Sequence, residues 1–161
     1  MRHRSGWIVC LCLCACLLLA GTAGAADTSG GAVSRGAFVD ALYDAHVAHG
    51  GTPVVSEGSA APFRDVGSWS PYFEALCWAK ASGIANGYSG GTFRPDAPVS
   101  RAEAVKILNH ALDRRAGERP ASLPFTDVPK DHWAYDEIRE AAVSHTYQKT
   151  DDGEKWLTYD R

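Results

Sequence analysis

Two short phrases recur in this chain at nearly the same spacing. Phe63-Arg64-Asp65-Val66 returns as Phe125-Thr126-Asp127-Val128, and Val33-Ser34-Arg35 returns as Val99-Ser100-Arg101, at offsets of 62 and 66 residues. The Val-Ser-Arg copies each open a helix-like apolar pattern. Self-similarity at a near-constant spacing marks a supersecondary unit used more than once, in which no single copy buries its apolar face alone. The chain therefore reads first as a repeat array.

One complete unit spans residues 62–113. Ser70-Pro71 places a capping hydroxyl before a proline at the first helical position, and Tyr72, Ala75, Leu76 and Ala79 then share a face widened by Phe73 and Trp78. Gly83 stops that helix. Residues Gly87 to Phe93 hold too much glycine for the interior of a helix or strand, which predicts a tight loop with positive φ, kept extended by Pro95 and Pro98. A second helix opens at Ser100, where Ser100-x-x-Glu103 is a capping box, with Val105, Leu108, Leu112, Ala104, Ile107 and Ala111 as its buried stripe.

The flanks repeat this in halves. Residues 33–50 carry only the second helix, capped by Ser34 and apolar at Phe38, Val39, Leu42, Tyr43 and Ala45. Residues 124–161 carry only the first, capped by Asp131 and apolar at Ala134, Tyr135, Ile138, Ala141 and Ala142. Alternation on either side of Asp151-Asp152-Gly153, with His145 and Tyr147 before and Trp156 and Thr158 after, predicts a β-hairpin. The expected fold is mainly α: helix–loop–helix repeats packed as a helical bundle, with a C-terminal hairpin. The two half-units are complementary. Either they pack on each other and close the array, or another copy of the chain fills the gap.

Arg2 and Arg4 precede an apolar run from Trp7 to Ala20 that closes on Ala23-Gly24-Ala25, the pattern of a secretory signal peptide over residues 1–25. The run is too short to span a bilayer, so no membrane association is expected after cleavage. Four of the five cysteines fall inside this segment, leaving Cys77 alone, read as a small buried hydrophobe. Residues 26–32 read as a disordered leader, and 51–61 and 114–123 as linkers. Without the signal, 14 basic side chains face 19 acidic ones, a net of about −5, which argues against nucleic acid as a partner. His46 and His49 stand three apart on a helix with no third ligand evident, so no metal or cofactor is expected.

Phe63-x-Asp65-Val66, Gly83-Ile84, Gly87-Tyr88-x-x-Gly91-Thr92-Phe93-x-Pro95 and Ser100-Arg101-Ala102-Glu103 fall in order over roughly 45 residues. This resembles an S-layer homology (SLH) repeat. The family usually carries three complete units; this chain has a half, a whole and a half. The resemblance implies a non-catalytic module that anchors to the bacterial surface by binding secondary cell-wall polysaccharide, often pyruvylated, in grooves between units. Arg101 matches the signature arginine, whose planar fork suits a ketal carboxylate. Tyr88, Trp69 and Trp133 offer faces on which sugar rings stack, Gly87 and Gly91 admit a close approach, and Arg35 holds the equivalent of Arg101 in the first half-unit.

Departures from the pattern are equally specific. The loop has Gly90 where the family usually carries aspartate, and the first arginine signature, Ser34-Arg35-Gly36-Ala37-Phe38, lacks its acid. Arg101 is also simply an exposed helix-start arginine, Ser100 and Glu103 serve as caps, Trp133 and Tyr135 fit core or surface, and Asp65 and Asp127 fix turns by local side-chain bonds. A second reading follows: a structural or protein-interaction remnant that keeps the fold and meets another SLH chain or a surface protein. No catalytic constellation appears in the mature sequence, so an enzyme ranks third.

Overall fold

A computed structural model describes residues 32–52, 60–114, 123, 125–150 and 153–159. The expected signal peptide, most of the leader, and much of each linker lie outside the described residues. Within them the chain forms helices α1 (Arg35–Ala48), α2 (Phe73–Ala81), α3 (Arg101–Ala111) and α4 (Tyr135–Ala142), then strands β1 (His145–Thr150) and β2 (Gly153–Tyr159). The protein is mainly α with a small antiparallel hairpin, as its patterning predicts.

Helix α1 packs on α2 and more lightly on α3, and α3 packs on α4. Helices α1 and α4 do not touch, so the half-units do not close on each other. Helix α3 packs on both. The two contacts differ in chemistry. Toward α1 and α2 lies the hydrophobic core: Val39 and Tyr43 from α1, Ala75, Leu76, Trp78 and Ala79 from α2, Phe63 and Val66 from the entry segment, Phe93 from the loop, and Ile107 from α3. Tyr43 meets Trp78 at 5.6 Å and Phe63 meets Phe93 at 5.1 Å between ring centroids, tilted pairs that add to area burial.

Toward α4 the packing is polar. Asn109, 1% exposed, donates to the Glu137 backbone carbonyl at 3.0 Å and to its carboxylate at 2.8 Å. The buried carboxylate of Glu140 forms an ion pair with Arg114 at 2.9 Å and accepts from the Trp156 indole at 3.2 Å, and His145 lies 3.2 Å away, while Arg114 donates to the Glu140 backbone carbonyl at 3.0 Å. His145 in turn stacks on Trp156 at 3.8 Å, so this network fixes the hairpin to the end of α4. Burying charge requires such partners, and Glu140 finds them on three separate segments.

Several boundaries and faces differ from expectation. Helix α2 begins at Phe73, because the Ser70 hydroxyl accepts from the Tyr72 amide and holds a turn there instead of capping the helix itself. Asp131 caps nothing: α4 starts at Tyr135 after a turn in which the Ala134 amide donates to the His132 ring. The buried face of α4 is Arg139 and Glu140 beside Ala134, while Ala141 and Ala142 are exposed. On α3, Ile107 and Asn109 are buried, Leu108 is half-buried and Leu112 is 43% exposed. With α1 and α4 approaching from different directions, α3 has no single apolar stripe. The predicted hairpin is present, pairing His145 with Tyr159 through Thr150 with Gly153, with an irregularity between Thr146 and Tyr147.

Candidate functional site

The glycine loop is held from both ends. Asp65 accepts from the Phe93 amide at 2.8 Å and the Arg94 amide at 2.7 Å. Its role is thus not the local turn expected of it but a tie across 28 residues between the entry segment and the loop. Burial opposes ionisation of Asp65, yet the two amides prevail and hold its carboxyl below the ordinary aspartate value. Gly87 adopts φ +71°, and a Cβ there would stand 2.5 Å from the Thr92 carbonyl oxygen. This glycine serves the closure of the loop on itself.

The loop receives Val33-Ser34-Arg35 as a docked arm. Amides of Arg35 and Gly36, two of the donors that a helix start leaves unpaired, donate to the carbonyls of Ala97 and Pro95 at 2.8 Å each. Val99 donates back to Val33 at 2.9 Å. The Arg35 guanidinium, buried, pairs with Glu103 at 2.8 Å, donates to the Phe93 carbonyl at 3.0 Å, and lies 4.8 Å from the ring centre of Tyr88 and 4.5 Å from that of Phe93. The acid missing from the first arginine signature is therefore supplied by the second. Gly36 stands where Arg101 is followed by Ala102 because a Cβ would meet the Tyr72 ring at 2.3 Å.

Glu103 is the centre of this cluster. It closes the capping box with Ser100, accepts from the Tyr88 hydroxyl at 2.7 Å and pairs with Arg35. Burial raises its pKa, but the Ser100 amide, the Tyr88 and Ser100 hydroxyls and the Arg35 charge together lower it from an ordinary 4.5 to about 2. Tyr88 is half-buried, and the Arg94 guanidinium also lies over its ring at 4.4 Å. Burial, then the bond to Glu103, pushes its phenol above the ordinary value.

The residues singled out from the sequence thus divide into two groups. Arg35 and Tyr88 are brought together, engaged with each other and with Glu103, and Gly87 precedes Tyr88 in the loop, against the Thr92 carbonyl and the Phe63 ring. Arg101, Trp69, Trp133 and Gly91 are exposed. Arg101 is the first residue of α3, and no hydrogen bond or ion pair engages its guanidinium among the described residues. Trp133 is 60% exposed, with the Lys106 ammonium of α3 at 5.8 Å from its ring centre. Trp69 is 81% exposed and, with Arg64 and Gly91, lines an open cleft of about 450 Å³. Arg64 and Lys106 were absent from the sequence-based set, since one lies inside the Phe-x-Asp-Val phrase and the other mid-helix, where a lone cation reads as a solvated side chain. Among the described residues no group of three His, Cys, Asp or Glu side chains could hold a metal ion, and no helix is long and apolar enough to cross a membrane.

Residues 62–105 match the S-layer homology domain. The chain is 40% identical over 90 residues to the cellulosome-anchoring protein of Acetivibrio thermocellus, a stretch covering 55% of this chain and 19% of that protein. It is 36% identical over 93 residues to cell surface glycoprotein 1 of the same organism, covering 57% of this chain and 4% of that one. A cell surface protein of Thermoanaerobacter kivui is 33% identical over 90 residues, 54% of this chain and 12% of its own length. The chain thus spans about a fifth or less of the length of these curated relatives. No solved structure matches it.

Proposed function

Since residues 62–105 form an S-layer homology domain, we propose that this chain is a non-catalytic module that attaches to the bacterial cell wall by binding an acidic wall polysaccharide, such as a pyruvylated one, at the start of α3. Relatives named for cell-surface and cellulosome-anchoring roles support the anchoring part of this reading. Support for the site comes from an internal comparison. Arg35 and Arg101 hold equivalent places in the two Val-Ser-Arg phrases, yet Arg35 is buried on Glu103 while Arg101 is exposed and unpaired among the described residues. An arginine fork at a capped helix start, where the dipole favours negative charge, suits a sugar-borne carboxylate. Trp133 with Lys106 on the same helix offers an aromatic face beside a second cation.

Retention of the purified chain on immobilised pyruvylated wall polysaccharide tests the reading. Wild type should be retained, Arg101→Ala should lose most of that retention, and Trp133→Ala should weaken it. Equal retention of wild type and Arg101→Ala would remove Arg101 from the site, and no retention of wild type would refute glycan anchoring. In the latter case the exposed Arg101, whose equivalent Arg35 docks on a glycine loop, favours a second reading. The first arm docks on a glycine loop, and the second would take the equivalent loop of another SLH chain, detectable as a concentration-dependent heterocomplex.

A further inference from the structure

The cleft between the entry segment and the glycine loop is separate from the start of α3: Pro62, Arg64, Gly67, Trp69 and Gly91 are among its lining residues and Arg101 is not. Its geometry combines three features. Trp69 is the most exposed of the described tryptophans, and its indole lies over Gly67, where only glycine leaves it room. Arg64 is anchored by its backbone, donating to the Gly91 carbonyl at 2.9 Å, and its side chain runs over Gly91, where a Cβ would be 3.6 Å from Nε. Asp65, which also lines the cleft, turns its carboxylate onto the Phe93 and Arg94 amides and not onto Arg64. No ion pair engages Arg64 among the described residues.

We infer that this cleft is a second saccharide subsite, in which a sugar ring lies on the Trp69 indole and a carboxylate borne by the saccharide meets the Arg64 guanidinium. Wall, floor and cation are all needed. Pro62 and the glycine backbone shape the concavity, Gly91 leaves room beside the arginine, and the indole supplies apolar area with only two side-chain torsions to fix. An isolated exposed arginine would do little. One held beside an aromatic platform binds a ligand that carries both a ring and a charge. The inference rests on the anchoring reading for the identity of the polymer and adds a contact point distant in sequence from Arg101. Two weak contacts on one polymer multiply their effect.

The experiment measures binding of the full chain to pyruvylated wall polysaccharide and to the same polysaccharide after mild acid has removed its ketal carboxylates. Both Arg64 and Trp69 are exposed, so Arg64→Gln and Trp69→Ala should melt like wild type. Arg64→Gln should weaken binding about two- to fivefold on the intact polymer and not at all on the stripped one. Trp69→Ala should weaken binding to both, by about fivefold. If both variants match wild type while Arg101→Ala loses binding, the cleft is no subsite and the anchoring reading stands. If Arg64→Gln and Trp69→Ala lose binding while Arg101→Ala does not, the cleft carries recognition and the role given to Arg101 falls. Wild type failing to bind either polymer overturns both.

Discussion

Replacing Glu103 with glutamine removes one charge and keeps the shape. The Tyr88 hydroxyl donates to one carboxylate oxygen and the Ser100 amide to the other, so the single amide oxygen keeps at most one of these bonds, and the part of the loss that varies with pH isolates what ionisation contributes. A carboxyl whose pKa falls from 4.5 to about 2 on folding contributes roughly 3 kcal/mol by linkage. The side chain is 21% exposed, and solvent screening brings that to about 1–2 kcal/mol. Because the folded-state pKa is depressed, the contribution is complete above the unfolded value of 4.5 and is lost as pH falls toward 2. Urea unfolding of wild type and Glu103→Gln should therefore differ by about 1–2 kcal/mol at pH 7. The gap should narrow through pH 4 and 3 and nearly close at about pH 2. Arg35→Gln added to Glu103→Gln should cost about 1 kcal/mol less than Arg35→Gln alone, since the pair is already broken. A gap that stays constant from pH 7 to pH 3, or no gap at pH 7, would refute the assignment of Glu103 as the charged hub joining α1 to the central unit.

Three further outcomes follow from the packing. Leu76→Ala, at a fully buried position, should lower unfolding free energy by about 2–5 kcal/mol, while half-buried Leu108→Ala should lose about half as much; chemical denaturation of both ranks them. Asp65→Ala leaves the Phe93 and Arg94 amides without their acceptor and should cost about 1–3 kcal/mol, with increased amide exchange confined at first to residues near the loop. Asn109→Ala should cost about 1–3 kcal/mol by removing its two bonds to Glu137 at the α3–α4 contact, leaving His110 as the partner of that carboxylate, and tryptophan fluorescence should register the loss near Trp133 and Trp156 before the α1–α2 core unfolds.

The capping box at Ser100, the glycine loop, the apolar faces of α1 and α2 and the hairpin were all legible in local patterning, because each depends on residues within a few positions of one another. Asp65, Asn109 and Glu140 were not. Their partners lie 28 residues away in the first two cases, and for Glu140 on the Arg114 segment and in the hairpin. A lone polar residue reads as surface until its partner is known. The face of α4 was misassigned for the same reason, since alanines suggest burial and charges suggest solvent unless a buried network reverses both.

The sequence by itself determined the order helix, glycine loop, helix within residues 62–113 and the C-terminal hairpin, since periodicity and turn chemistry are short-range properties. Only tertiary structure decided what two equivalent arginines do. Arg35 meets a loop that follows it in the fold and is buried on Glu103, whereas Arg101 meets no second such loop among the described residues and stays exposed. An arginine's role depends on which carboxylates and rings come within a few ångströms of its guanidinium, and that is set by packing across the chain, not by the three-residue phrase that contains it.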